Sequence, residues 1–242
     1  MKIIDVIEKK IEKIPEGQVF TYADFDIEVE RKNTVVKTLN ILVAKGKITK
    51  LSKGKFYKPQ VTVSGSCSLS SNQIVKDFLE QDGKIIGYLT GYSIYNDLQI
   101  NAPNTNIIQI GTNRYRRPLK RCNFNISFVL QPNKITTSNY RLLQILDVLR
   151  FVHSIPATTV DEVSKRLKQI FNELKPEELL KITKLALKYT DYVRAFCGAI
   201  LESIGADMPL LALLHKSLNG ITAYKLGISD EVLPTKAQSR IR

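Results

Sequence analysis

Between Gln60 and Ser71 the chain reads QVTVSGSCSLSS, twelve residues with five Ser and one Gly. A stretch of that composition joins folded parts more readily than it packs into one. It predicts a linker over 61–71 with a domain on either side, 1–60 and 72–242. Each must then find its own core. The supply is adequate, since 43% of the 242 residues are hydrophobic.

In the first part Ile3, Ile4, Ile7, Ile11 and Ile14 recur at helical spacing opposite Lys9, Lys10, Glu12 and Lys13, and Pro15-Glu16-Gly17 ends that helix. Thr21 stands three residues before Asp24 and predicts the cap of a brief helix from Tyr22 to about Phe25. A third helix is expected from about Lys32 to Lys45, stopped by Gly46. Ile48, Leu51 and Phe56-Tyr57, parted by Ser52-Lys53-Gly54-Lys55, read as two short strands around a tight turn. Three helices and a basic hairpin predict a winged helix-turn-helix. Beyond the linker a helix over 72–81, a strand over 84–89, a short helix after Gly91 and strands at 107–110 and 125–129 are expected. Helices follow at about 140–153, 160–174, 177–188, 192–205 and 209–218, and the tail over 234–242, poor in apolar residues, reads as mobile. The expected fold class is α+β: an N-terminal winged helix-turn-helix, then a mixed α/β domain ending in a helical bundle.

The charge is unevenly placed. Thirty-six Lys and Arg against 23 Asp and Glu give a formal +13, which makes a polyanion the first partner to consider. Acids are missing from Arg31 to Lys76 and from Leu98 to Leu146, windows that hold ten and seven basic residues. The remainder of the chain is therefore slightly acidic, and the surplus forms two local concentrations able to displace counterions from a phosphate backbone. No apolar run is long enough to cross a bilayer, and the amino terminus lacks a secretory signal's uninterrupted apolar stretch, so a cytoplasmic protein without membrane contact is expected. Cys67, Cys122 and Cys197 are odd in number and far apart, and His153 and His215 are the only histidines. That is a poor basis for a disulfide framework or a transition-metal site. Neither a metal nor another cofactor is expected.

On the third predicted helix Val35, Val36, Leu39, Leu42 and Val43 share one face, while Asn33, Thr34, Lys37, Thr38 and Ile41 gather on the other. The second face suits a major groove: Lys37 for guanine acceptors or a phosphate, Asn33 for an adenine edge, Thr34 or Ile41 for a thymine methyl. Lys50, Lys53 and Lys55 on the hairpin suit the sugar-phosphate rail, and Thr21 at the second helix is placed to hold one more phosphate. Protein docking through an ordinary solvated face is the competing use of such a module. A second patch, Arg114, Arg116, Arg117, Lys120 and Arg121 with Tyr115 among them, falls between predicted strands and suits a phosphate backbone, with an ordinary solvated loop or docking to an acidic protein as the alternatives.

Catalysis requires a positioned constellation, and none of the usual spacings is present. Phosphate-binding, dinucleotide-binding and nucleophile-elbow motifs are absent. Gly91-Tyr92-Ser93 faintly matches a nucleotidyltransferase opening, but Asp97 alone cannot hold two metals. Asp77 with Asp82-Gly83-Lys84 imitates a nuclease spacing, although Asp82-Gly83 is also an ordinary turn. The expectation is a non-enzymatic protein; the alternative is a divergent nuclease or nucleotidyltransferase-related enzyme acting on nucleic acid.

IPEGQVFTYADF, GKITKLSKGKFYKP, GKIIGYLTGYSIYNDL, APNTNIIQIGTNRYRR and SLNGITAYKLGI, spread from Ile14 to Ile228, together resemble the AbiEi-like antitoxin family, including its domain-of-unknown-function branch. The resemblance implies the antitoxin of a type IV toxin-antitoxin pair. In such proteins an amino-terminal winged helix binds the operon's own promoter DNA and represses it, while the carboxy-terminal domain counteracts a toxin of nucleotidyltransferase fold. Position by position, the DNA-binding role falls on Asn33 to Ile41 and Lys53, with Arg114, Arg116 and Arg117 as further DNA contacts.

Overall fold

The isoleucine spacing of the first segment becomes α1 (Ile3–Lys13), which turns Ile7 and Ile11 inward. The computed structural model describes residues 3–25, 32–59, 70–81, 83–121 and 123–242. The expected linker, apart from Ser70 and Ser71, lies outside the described residues, as do Asp82, Cys67 and Cys122. Helix and sheet are both substantial, so the protein is of the α+β class. The chain divides into two compact units, 1–76 with 119–125, and 77–118 with 126–242.

In the first unit, β1 (Val19–Thr21) leads into a single 3-10 turn, Tyr22–Phe25, and α2 spans Lys32–Ala44. β2 (Thr49–Ser52) and β3 (Lys55–Tyr57) form a hairpin, and β1 joins β3 on its other side to give the order β1-β3-β2, all antiparallel. Phe20 of β1 and Phe56 of β3 sit directly opposite each other with ring centroids 6.2 Å apart, and Phe25 meets Phe20 edge-on at 5.8 Å. With Ile7, Ile11, Val35, Leu39, Leu42 and Ile48 they make one core, so each element here is held by its apolar stripe. Val36 and Val43, expected on that face, are only half-buried, and of the two Val43 packs against the core.

Ser70 and Gln73 cap α3 (Ser71–Leu79) reciprocally: Ser70 N donates to Gln73 Oε1 at 3.0 Å and Gln73 N to Ser70 Oγ at 3.4 Å. The single strand expected over 84–89 is two. β5 (Lys84–Ile85) pairs with β4 (Glu80–Gln81), and β6 (Gly87–Thr90) pairs with β7 (Ile107–Thr112). The break is where the Ile86 amide turns to bond the Leu79 carbonyl at 2.9 Å. β8 (Leu119–Arg121) and β9 (Phe124–Leu130) complete a sheet of order β6-β7-β9-β8. Part of the basic segment expected to be loop is thus strand.

α4 (Tyr140–Phe151) is buried on nearly every side, as its Leu-rich sequence demands, and forms the centre of the second unit's core. α5 (Val160–Glu173) begins with a full capping box between Thr159 and Glu162, and α6 (Pro176–Ala186) begins on a proline whose missing N–H would have no partner there. α7 (Asp191–Ser203) is buried from Ala195 through Leu201, and α8 (Met208–His215) adds Leu211 and Leu214. Cys197 is entirely buried in this core, and burial pushes its thiol up to about 12.

The tail expected to be mobile is docked instead. Tyr224 N donates to the Arg240 carbonyl at 2.8 Å and Arg242 N to the Tyr224 carbonyl at 2.9 Å, while Ile241 is 2% exposed. Sparse apolar content hid this, because the segment is fastened by backbone bonds, one polar cluster and a single core residue, Ile241. Ser239 Oγ donates to Glu202 Oε1 at 3.1 Å, and His215 Nε2 lies 2.6 Å from that same oxygen. The Glu202 side chain is almost wholly buried, and burial raises its carboxyl above the ordinary range despite Ser239 and His215. A raised carboxyl contributes stability that is complete below its unfolded value and lost as pH rises through its folded value. Glu202→Gln is therefore expected to melt higher than wild type at pH about 8, with the difference shrinking toward pH about 5. A difference independent of pH in thermal melts would contradict this.

Candidate nucleic-acid interface

α2 turns Asn33, Thr34, Lys37, Asn40 and Ile41 to solvent, a stripe at helical spacing that is polar except for Ile41, which is 46% exposed. Thr38, assigned to that face from sequence, is not on it. It is 5% exposed, and its hydroxyl donates to the Thr34 carbonyl at 2.9 Å. One turn before the buried Leu42, it falls on the core side of the stripe, and a back-bonded threonine is an ordinary helix residue. Asn40, which sequence reasoning did not assign, is exposed in line with Asn33 and Lys37.

Lys50 and Lys53 are exposed on the hairpin and Lys55 is half-buried at its far strand. The turn is closed by Gly54 at φ +75°, a conformation glycine adopts without a Cβ penalty. Among the described residues Lys47 pairs with Glu8 at 3.0 Å, whereas no ion pair engages Lys37, Lys45, Lys50 or Lys53. Thr21 is committed elsewhere. Its hydroxyl donates to Asp24 Oδ2 at 3.0 Å and accepts from Ala23 N at 3.2 Å, and its own N–H reaches the same carboxylate at 2.5 Å. Thr21 is thus engaged in capping the turn that follows it, and the carboxylate beside it opposes an incoming phosphate.

In the second unit the residues 113–118 leave β7 as an irregular loop, with Arg114 and Arg117 exposed and Tyr115 80% exposed. Arg116 is turned back over the Phe78 ring at 5.2 Å, and Phe78 in turn meets Phe128 edge-on at 5.0 Å. Lys120 and Arg121 belong to β8 in the first unit. Lys120 is exposed, but Arg121 is 5% exposed and gives Nη1 to the Ile74 carbonyl at 2.7 Å. Arg121 is thus a structural arginine and, contrary to expectation, is not displayed with the exposed cations of this segment.

The sequence reading missed a buried polar network that roots this loop. Asp147 on α4 accepts from Tyr88 at 2.7 Å, Thr90 at 2.8 Å and Tyr189 at 3.0 Å. Gln131 Nε2 donates to both tyrosine oxygens, at 2.7 and 2.6 Å, and Gln131 Oε1 accepts from Asn133. Each tyrosine thus takes a proton contact from the amide and passes its own to the carboxylate, which leaves the whole set satisfied. Burial raises the Asp147 carboxyl, and the three hydroxyl donors act against that rise. Asn113, at the loop's start, donates Nδ2 to the Gln131 and Asn133 carbonyls at 2.8 and 2.6 Å and accepts from Ile135 N at 3.1 Å. A lone acid inside RLLQILDVLRF was the signal available in the sequence.

The nucleotidyltransferase-like triplet Gly91-Tyr92-Ser93 is a structural joint. A Cβ at Gly91 would fall 2.0 Å from Gln109 Oε1, Tyr92 N donates to that oxygen at 3.0 Å, and Ser93 Oγ accepts from Gln109 N at 3.0 Å. Asp97 is exposed in a turn, and Asp82 of the nuclease-like spacing lies outside the described residues. Among the described residues no group of three or more His, Cys, Asp or Glu side chains is placed to hold a metal, and no helix is long and apolar enough to cross a membrane.

No protein-family model matches the chain. No curated protein matches it. Among solved structures it is similar to the crystal structure of the RV2827C protein from Mycobacterium tuberculosis, with a TM-score of 0.60 and 15% identity over 91% of this chain and 83% of that one. At that identity the likeness concerns the fold alone.

Proposed function

We propose that the protein is a sequence-specific DNA-binding autorepressor and antitoxin of a type IV toxin-antitoxin pair, acting as a binder and not a catalyst. The first unit is read as a winged helix-turn-helix: α1, the Tyr22–Phe25 turn and α2 supply its helical elements, and the β2–β3 hairpin its wing. The observation that carries the reading is the exposed stripe Asn33, Thr34, Lys37 and Ile41 on α2, accompanied by exposed Lys50 and Lys53, which make no ion pair among the described residues, in a window without acids. A helix of that polarity enters a major groove while the hairpin lysines meet phosphates. Lys55 lies beside the wing tip, while Thr38, Thr21 and Arg121 carry no part of the contact. The partners are the protein's own promoter duplex and a toxin of nucleotidyltransferase fold, the latter resting on the family resemblance.

About six lysine and arginine contacts would make log affinity for the upstream duplex fall against log salt with a slope near about −5. Lys37→Ala and Lys53→Ala should each flatten that slope by about 0.9. Fluorescence anisotropy across a salt series reads both. Unchanged slopes in both variants would remove the proposed docking face.

A further inference from the structure

We propose that the 113–118 loop of the second unit is a binding finger for single-stranded nucleic acid, in which Tyr115 stacks on an unpaired base while Arg114 and Arg117 engage the flanking phosphates. This site uses none of the first unit's residues, and it departs from the duplex contact that the family resemblance gives Arg114 and Arg117 by assigning them, with Tyr115, to a single strand. Tyr115 is 80% exposed. A tyrosine so exposed contributes little to a core, yet the segment that displays it is firmly built. Asn113 is held by three hydrogen bonds to the 131–135 backbone, and Arg114 N donates to Thr112 Oγ1 at 3.3 Å. Arg116 is held over Phe78, and Pro118 restricts the loop's exit. The ring is therefore presented on a frame that need not be ordered when a ligand arrives, which removes part of the entropic penalty of binding.

Arg114, Tyr115 and Arg117 face solvent, and Arg116 faces the protein. An aromatic face between two guanidinium groups matches the repeating unit of a single strand, a flat base between charged phosphates. The sequence from Leu98 to Leu146 holds no acid to oppose it. A duplex fits less well, because its base faces are covered by their stacked neighbours and a short loop offers no helix to fill a groove.

The chain has no tryptophan, so Tyr115→Trp introduces a sole indole at the proposed contact. Its fluorescence is to be titrated with oligo-dT and oligo-rU of about twelve nucleotides and with a blunt duplex of equal length. Quenching by a single strand is expected, and whichever of the two strands quenches at lower concentration identifies DNA or RNA as the source. Tyr115→Ala should weaken single-strand affinity about ten-fold or more, Tyr115→Phe should retain it, and Arg114→Ala or Arg117→Ala should each reduce the salt slope by about 0.7. All four should melt with wild type, because these side chains are exposed. Absence of quenching by both strands, or unchanged affinity in Tyr115→Ala, overturns the proposal. Equal quenching by the duplex overturns the single-strand assignment. Upstream-duplex binding that depends on Lys37 and Lys53, measured in the same samples, separates a failure here from a failure of the repressor reading.

Discussion

Asp147→Ala is expected to destabilise the second unit by about 3–5 kcal/mol, lowering its melting temperature by on the order of 10 °C. The carboxylate is 1% exposed and is the shared acceptor for Tyr88, Thr90 and Tyr189. Removing it leaves three hydroxyl protons in a dry core, each stranded at about 1–3 kcal/mol, and opens a cavity beside α4. Asp147→Asn keeps the shape but turns an amide donor toward one or more of those hydroxyls, so an intermediate loss is expected. The same network reaches Gln131 and Asn133, whose carbonyls hold Asn113. Amide hydrogen exchange in 113–118 should therefore accelerate in Asp147→Ala at temperatures where the unit is still folded. Denaturant unfolding curves showing Asp147→Ala within about 1 kcal/mol of wild type would contradict the account of this core.

Reversing two charges in the first unit should have the largest effect on binding. On the proposed reading, Lys37→Glu combined with Lys53→Glu removes two phosphate-directed cations and places two acids against the backbone. The loss of upstream-duplex affinity is expected to be about 100- to 1,000-fold at roughly 0.15 M salt. Both side chains are exposed and make no ion pair among the described residues, so stability should move by no more than about 0.5 kcal/mol. A gel-shift or anisotropy titration beside a thermal melt distinguishes lost contact from lost fold. Retained affinity would mean that the ridge of α2 and the hairpin faces no DNA.

Elements defined by apolar periodicity were readable from the sequence because burial alone determines them. The isoleucines of α1 and the continuous leucine pattern of α4 each marked a helix. What periodicity could not convey was where polar groups satisfy one another. Thr38 looked like a groove residue because its side chain is polar, yet its hydroxyl bonds back to Thr34. Arg121 looked like part of a cationic loop, but it lies on a strand and bonds the Ile74 carbonyl. The tail appeared unattached because it is fastened by backbone bonds and by Ser239, which is wholly buried. Close approaches were equally hidden. A Cβ at Gly111 would lie 2.3 Å from the Tyr88 ring, so the missing side chain here makes room for Tyr88. Of the candidate site, the exposed residues Asn33, Thr34, Lys37, Ile41, Lys50 and Lys53 were legible as a face, whereas Asn40 and the scaffold beneath Tyr115 required coordinates.

The central claim, that the first unit reads a particular duplex, is tested most directly by titrating the purified full chain with its own upstream region and with a scrambled duplex of equal length and composition. A preference of about 1,000-fold or more for the upstream region at physiological salt is expected, and it should collapse in Lys37→Glu/Lys53→Glu. Equal affinity for the two duplexes, or a preference untouched by the double substitution, would contradict it.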